Sequence, residues 1–559
     1  MDNQQVKMAA KRLESLRQQR SGFMSDWRDI SDFVLGVQSR FLQSESQNST
    51  DCGSSNRSAR NDSLYNETAK FAAQTLASGM MAGITSPARP WFNLVTPDPD
   101  MMDYGPAKTW LSQVEKILYM IFARSNFYKA MHTSYLNLGI FGNSCYGIYE
   151  DYKTIARFDT FPVGQYFLAL NGKSEVDTMY REYSISVRAA VTIFGLDAMS
   201  SKVRQYYSNG HYEYNIDIVH VIEPNDNILY GSPLSKDLPW RSFYYEKSDN
   251  NKHLIKDSGF NEKAFVSPRW NAFGDDAYST IYPGIDSLGT NKALQVNELD
   301  EAIAIEKQHN PPLVADSGIA REGTDLIAGG ITYAPGMSAG GKPGIAPVYQ
   351  VNPDINGLEL TMGKKEQRIQ RHFYADLFMM ITELDSVRSA TEIAERKEEK
   401  LLMLGPVLES VNNEMLDPTI DRVFAMAQRA GILPPPPQEL DNVDLKVEYV
   451  SILAQAQRAI STASMESTAA FAMQLAQIDP TAFDKIDSDQ MIDEHAKAKG
   501  APPSTIRSDD DVLAIREARA EQEAMQMAQA EAAEMAATAE TLSKTDTGGD
   551  NLLSEMVGG

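Results

Sequence analysis

The stretch from Gly284 to Gly431 constrains this chain most, because it reads as helix, compact insertion, helix, short loop and long helix. The first helix is expected over Ile285–Gln308, with Val296, Leu299 and Ile303 on one stripe. Asn310-Pro311-Pro312 stops it, since proline has no backbone donor and restricts the residue before it. A segment rich in Gly and Pro follows, from Leu313 to about Asn356. The second helix is expected to run to about Met380, with Ile369, Phe373 and Leu377 recurring every four residues on its apolar face. Lys364, Arg368 and Arg371 fall on the opposite side. A loop around Thr382–Ser389 ends in Ser389-x-x-Glu392, the spacing of a capping box. The next helix carries Leu401, Leu404, Leu408, Val411 and Met415 on one edge.

The chain has 559 residues, too many for one core, and roughly three or four domains are expected. Its two cysteines, Cys52 and Cys145, make neither a disulfide framework nor a zinc site, which fits a reducing compartment. The N-terminal stretch has no apolar core of the kind a secretion signal needs. No apolar run approaches the roughly 18 residues of a membrane span, so no membrane partner is expected. Sequons at Asn48, Asn56, Asn61 and Asn66 sit in one polar segment and read as chance matches. The net charge of −24 opposes tight binding of nucleic acid, which calls for a basic patch. It does not oppose a conduit whose wall must not adhere to what passes through it.

Residues 1–40 read as helical, with Trp27, Ile30 and Val34 on an apolar stripe. Residues 42–62 are too polar to pack and read as an exposed loop. Helices are expected at about Asn66–Met81, Ala107–Arg124 and Phe127–Leu138, with an extended connector over Thr85–Phe92. From Tyr146 to Phe265 the period changes to two. His211–Ile222 alternates, with Tyr212, Tyr214, Ile216 and Ile218 on one face, and Asn171-Gly172 signals a hairpin. Beyond Gly431 a proline run marks a boundary. A short strand is expected at Val443–Tyr449, and helices at Ser451–Gln477 and Ser488–Lys499. An Ala-rich helix with a thin apolar face is expected from Asp509 to about Leu542, and Thr545–Gly559 reads as disordered. The fold class is therefore α+β and multidomain.

Motifs for chemistry fail on inspection. Gly336-Met-Ser-Ala-Gly340-Gly341-Lys342 matches a phosphate loop in part, but Pro343 stands where the magnesium-binding Ser/Thr belongs. Gly336-x-Ser338-x-Gly340 has the spacing of a nucleophile elbow, yet Pro335 and Pro343 oppose the strand and helix an elbow needs. Both strings read as a surface loop. The seven histidines are scattered and make no metal-binding spacing, and His220 reads as a buried or edge strand residue. Asp275-Asp276 and Glu398-Glu399 look like solvated pairs. The Lys364/Arg368/Arg371 stripe is a solvated face in a monomer. In an assembly it would face phosphates, or acids of a neighbouring copy such as Asp300 and Glu301.

Several strings, in order along about residues 10–480, resemble the portal, or head-to-tail connector, family of short-tailed bacteriophages. They are Leu76-Ala-Ser-Gly79-Met80 with Gly83-Ile-Thr85-Ser86-Pro87-Ala-Arg89-Pro-Trp91-Phe92; Phe161-Pro-Val-Gly164-Gln-Tyr166; and His220-Val-Ile-Glu-Pro224-Asn225. Arg269-Trp270, Tyr282-Pro283-Gly284 and Pro311-Pro312 follow. Ala390-Thr391-Glu392-Ile393, Leu404-Gly405-Pro406-Val407-Leu408-Glu409 and Ser451-Ile-Leu-Ala454-Gln455-Ala456-Gln457 complete the set. Each string alone is weak; their succession is specific.

The resemblance implies a non-enzymatic subunit of a portal-like ring, about twelve copies around a channel for double-stranded DNA. It implies a wing over 1–284, stem helices at 285–308 and 357–378, and a clip at 309–356. A tunnel loop at 379–391, a long wing helix at 392–431 and a crown at 432–508 would follow, then 509–559, whose Ala-rich helix 509–542 would extend the crown as a barrel ahead of a disordered tail. Lys364, Arg368, Arg371, Ser386 and Arg388 become DNA-channel candidates, and Gly336, Gly340 and Lys342 clip docking candidates. Expected partners are further copies of the chain, DNA, the terminase large subunit, tail adaptors, major capsid and scaffolding proteins, and internal core proteins. No cofactor or metal is implied. The expected location is the virion, after assembly in the host cytoplasm. Two rival readings are an NTP-hydrolysing packaging component, which requires ATPase activity dependent on Lys342, and a virion adaptor of another kind, which requires different particle symmetry.

Overall fold

The computed structural model describes residues 2–35, 42, 64–96, 105–226, 228, 232, 234–247, 253–316, 330–334, 345–347, 354–382, 404–437, 446–449, 467–475, 487–499, 507 and 509–544. These residues divide into two compact units, one made of Met1–Asn93, Lys116–Leu433 and Tyr449–Gln457, the other of Leu94–Glu115, Pro434–Glu448 and Arg458–Gly559.

The first unit begins with helices α1 (Asp2–Val34) and α2 (Thr68–Gly83); strand β1 (Phe92–Val95) and helix α3 (Gly105–Arg124) each contribute to both units. Helix α4 (Phe127–Phe141) and strands β2 (Tyr146–Asp151), β3 (Ile155–Thr160), β4 (Tyr166–Leu170) and β5 (Val176–Ser186) follow. Next come α5 (Val187–Phe194), α6 (Ser201–Ser208), β6 (Asn215–Pro224), β7 (Trp240–Glu246), β8 (Leu254–Phe260) and β9 (Phe265–Val266).

The five-stranded antiparallel sheet β4-β5-β6-β7-β8 is covered on both faces. Alternation places Val219 and Val221 on one side, where Val6, Ala9, Leu13 and Leu16 of α1 pack against them with Phe167, Tyr180, Phe243 and Tyr245. Full burial of each of these Val or Leu side chains contributes about 1.5–3 kcal/mol. Ile216 and Ile218 point to the other side, under α5 and α6, with Val187, Ala190, Met199 and Val203. The arginines of α1 fix its seating. Arg12 meets Glu223 at 3.0 Å, Arg17 meets Glu182 at 2.7 Å, and buried Arg20 donates to the carbonyls of Gly164 and Tyr166 while lying 3.7 Å above the Phe167 ring. The Asn171-Gly172 turn closes the β4–β5 hairpin as expected, with the Asn171 carboxamide oxygen accepting from the Lys173 and Glu175 amides.

Two expectations in this region need correction. Strand β6 starts at Asn215, so Tyr212 and Tyr214 precede it and are exposed, held by ring contacts to Tyr207 and Tyr206 of α6. Helices α5 and α6 lie within the stretch where the period of two predicts strands. Ser186 and Ser200 cap them, each hydroxyl accepting from an amide three residues on.

The smaller sheet β3-β2-β9 carries helix α10 (Asp417–Arg429), reached after α7 (Pro283–His309), α8 (Ile355–His372) and α9 (Ala375–Thr382). Residues 404–411 are helical and pass through a π-helical turn, Asn412–Leu416, into α10. Leu404, Val411 and Met415 are buried as the spacing requires. The Tyr146 hydroxyl bonds Thr419 at 2.7 Å, and buried Arg422 donates to the carbonyls of Ile148 and Glu262. Burial pushes the Arg422 guanidinium down to about 10, against the pull of Glu262. Trp91 stacks parallel to Phe127 at 5.8 Å and joins Phe92, Tyr119 and Phe122 in an aromatic cluster, so the expected anchors do anchor the connector. Between α7 and α8, strands β10 (Leu313–Asp316), β11 (Ile331–Ala334) and β12 (Ile345–Pro347) form a mixed sheet in the order β11-β10-β12.

In the second unit the Glu115 carboxylate accepts from the Leu94 amide at 2.7 Å, and the Trp110 indole donates to the Pro434 carbonyl at 2.9 Å. Strand β13 (Lys446–Tyr449) lies within the stretch where one was expected. Residues 467–475 are helical, and α11 (Ser488–Lys499) and α12 (Asp509–Lys544) match their expected spans. Arg516 of α12 meets Asp489 of α11 at 2.7 Å. All described side chains from Leu513 to Ala537 are exposed, Met525, Met527 and Met535 among them.

Candidate functional site

The site is the antiparallel pair α7–α8. Helix α7 starts with Pro283 at its first position, where a missing amide costs nothing. Gly284 then lets the helix approach α4 closely: a Cβ there would lie 1.9 Å from the Ile140 carbonyl oxygen. Gly142, in the left-handed region at φ 72°, ends α4 against Tyr282. Further along, the Asn291 amide donates to the Phe33 carbonyl at 2.8 Å and Lys292 meets Asp29 at 2.6 Å.

Gln295 is a polar hub. Its oxygen accepts from the Tyr65 and Asn66 amides at 2.8 and 3.0 Å, and its nitrogen donates to the Asn66 carbonyl at 2.7 Å. The Asn66 carboxamide in turn donates to Glu298 of α7 at 2.7 Å and to Glu366 of α8 at 3.0 Å. This residue, which reads from sequence as a chance sequon, ties both helices to the start of α2. Its partners lie 229 to 300 residues away, so no local pattern marks it.

Helix α8 returns along α7. Lys365 donates to the Ala293 carbonyl at 3.3 Å, and Asp286, at the start of α7, feels the charge of His372 at the end of α8. Burial raises the Asp286 carboxyl above its ordinary range, and His372 opposes that shift. Met362, Ile369 and Phe373 are buried against the unit. The expected single helix is broken after His372, however. Tyr374 takes a left-handed φ of 53°, and α9 starts afresh at Ala375. Nothing local demands the break, since neither Gly nor Pro is present. Tertiary packing holds it: the Tyr374 ring lies 6.2 Å from Trp270, and Phe378 of α9 seats against Gly79, where a Cβ would stand 2.2 Å from the ring.

Lys364, Arg368 and Arg371 are all exposed and share the face of α8 opposite Met362 and Ile369, as the period required. The acids of this helix, Glu359 and Glu366, lie off that face. Two turns separate Lys364 from Arg371, about 10 Å, so the row is dense enough to meet a line of phosphates or carboxylates. Among the described residues, none of the three has a side-chain hydrogen-bond or ion-pair partner. The stripe of Val296, Leu299 and Ile303 on α7 is exposed, and the buried face of that helix is instead Ser287, Leu288, Asn291, Leu294 and Gln295. Ser386 and Arg388, the capping box at Ser389 and Glu392, and Gly336, Gly340 and Lys342 lie outside the described residues.

The family described as bacteriophage head to tail connecting protein matches residues 6–506. The portal protein of Salmonella phage epsilon15 is 41% identical over 547 residues, covering 98% of this chain and 97% of that protein. The probable portal protein of Bordetella phage BPP-1 is 36% identical over 551 residues, covering 98% and 97%. Neither name carries an enzymatic activity. With likeness over this share of its length, the chain belongs to the head-to-tail connecting proteins of bacteriophages, the portal family.

Proposed function

We propose that the chain is the structural subunit of a ring of about twelve copies at one capsid vertex, which conducts double-stranded DNA during packaging and ejection. The observation that supports this best is the α7–α8 pair, with one exposed face of cations on an otherwise acidic chain. Helix α7, at 27 residues, is about 40 Å long, more than one turn of B-DNA. About twelve copies would carry a formal charge of roughly −290, which keeps DNA from adhering, while a ring of Lys364, Arg368 and Arg371 steadies phosphates transiently. Ser386 and Arg388 join them as channel candidates.

In this reading α7 and α8 are the stem, the strands between them belong to the clip, and the sheet-containing part is the wing. The clip docks the terminase large subunit first and tail adaptors later, with Gly336, Gly340 and Lys342 as docking candidates. Capsid, scaffolding and internal core proteins meet the outer and inner parts of the ring. The protein is a virion component assembled in the host cytoplasm, and packaging energy comes from the separate terminase. Among the described residues no helix is long and apolar enough to cross a membrane. Helix α12, exposed from Leu513 to Ala537, forms a barrel with its copies; deleting 509–542 is expected to leave rings intact and alter DNA release or the docking of internal proteins, and loss of rings would place it in the core assembly.

Negative-stain images of the purified assembly test the central claim. An open ring of about twelve-fold symmetry is expected. A compact monomer without a channel would sink it.

A further inference from the structure

Two faces of the helix pair are exposed among the described residues. On α7, Val296, Leu299 and Ile303 are 56%, 37% and 37% exposed, and Asp300 shares their side of the helix. On α8, Leu360 is 66% exposed and stands one turn before Lys364, both opposite buried Met362 and Ile369. A row of apolar side chains left in solvent at helical spacing marks a surface that another chain covers.

We infer that the α7 stripe of one copy seats on Leu360 and Lys364 of a second copy, with Asp300 paired to Lys364 across the seam. This rests on the ring proposed above, names how its neighbours recognise each other, and moves Lys364 from the phosphate-facing row to the seam, leaving Arg368 and Arg371 to the channel. The signs are complementary. Residues 298–306 of α7 hold Glu298, Asp300, Glu301 and Glu306 and no cation, whereas the outer face of α8 holds Lys364, Arg368 and Arg371 and no carboxylate. Asp300 and Lys364 each lack a side-chain partner among the described residues.

The heights agree as well. The Lys365 ammonium donates to the Ala293 carbonyl across the antiparallel pair, which places residues 296–303 at about the height of 355–362. Rotation about an axis parallel to the helices preserves height, so these levels face each other in adjacent copies. Side chains lean toward the N-terminus of their own helix. Asp300 therefore leans down and Lys364 leans up, and the two converge. The two faces differ, so the contact is head-to-tail, the kind that builds a ring when the rotation between copies closes. Arg368 and Arg371 lie below this level and remain available to phosphates.

The test is assembly of the full-length chain, followed by native mass spectrometry and negative-stain imaging, with circular dichroism melting as the folding control. Lys364→Glu and Asp300→Lys are each expected to raise the concentration for half-assembly about tenfold, and the double reversal to restore it. Leu299→Asp is expected to weaken assembly without rescue by Lys364→Glu. Single reversals that assemble like the parent would overturn the seam, and loss of packaged DNA with intact rings for Lys364→Glu would give Lys364 to the phosphates instead. A parent chain that stays monomeric would sink the conduit reading and the seam with it, so the two failures are distinguishable.

Discussion

Arg269 and Glu414, 145 residues apart, are joined three ways: the Arg269 amide donates to one carboxylate oxygen at 2.9 Å, its Nε donates to the other at 3.1 Å, and its Nη2 closes the fork. Arg269 is buried and spends its remaining donors on the carbonyls of Ser174 and Asp276. The π-helical turn Asn412–Leu416 carries Glu414 to it, an extra residue turning the side chain inward. Glu414→Ala leaves a buried guanidinium without its counter-charge and is expected to cost about 3 kcal/mol in urea unfolding. Pairing it with Arg269→Met should cost less than the sum of the single changes.

Two glycines of α7 predict opposite outcomes. Gly284→Ala drives a methyl into the Ile140 carbonyl, which is backbone and cannot yield cheaply, and should destabilise by about 2 kcal/mol. Nothing stands within 4 Å of a Cβ at Gly289, so Gly289→Ala should stabilise by about 0.5–1 kcal/mol through helix propensity. Denaturant midpoints of the two variants measure both.

His220 sits in the middle strand of the large sheet, stacked on Tyr244 at 3.9 Å and bonded to the Ser242 hydroxyl at 2.9 Å. Burial, with Arg181 and Lys256 nearby, holds its imidazole well below the ordinary 6.5. The unfolded chain therefore binds a proton there that the folded chain refuses. Stability from this group is complete above about pH 6.5 and falls as the pH drops below it. His220→Phe should reduce stability at pH 7 by about 1 kcal/mol, since Ser242 loses its partner, yet should flatten the slope between pH 6.5 and 5. Unfolding midpoints across that range check the sign.

Arg368→Glu with Arg371→Glu replaces solvated side chains, so stability should change by no more than about 0.5 kcal/mol. Rings should form as in the parent, while DNA recovered per particle falls. Unchanged packaging would remove these residues from the channel.

Legibility followed the range of the interactions. Period and alanine content delimit α2, α11 and α12 in the sequence, and the change to period two locates the sheets. The cations of α8 follow from 3.6 residues per turn alone. Helix α5 escapes because VRAAVTIF is apolar and partly β-branched, like a strand; its signals are the Ser186 cap and Gly195 at φ 87°. The break at Tyr374 has no such signal, because Trp270 and Gly79 impose it from elsewhere. The Asn66–Gln295 hub is equally hidden, since hydrogen bonds over hundreds of residues leave no periodicity.

The seating of α1 on the large sheet has a consequence for biosynthesis. Gln5 meets Arg241 across 236 residues, and the strands that bury Val6, Leu13 and Leu16 are complete only once β7 and β8 exist. At roughly 5–20 residues per second, a ribosome needs on the order of tens of seconds to supply them. Throughout that interval the nascent chain trails an amphipathic helix with its greasy side uncovered, a state prone to aggregation until the sheet is complete.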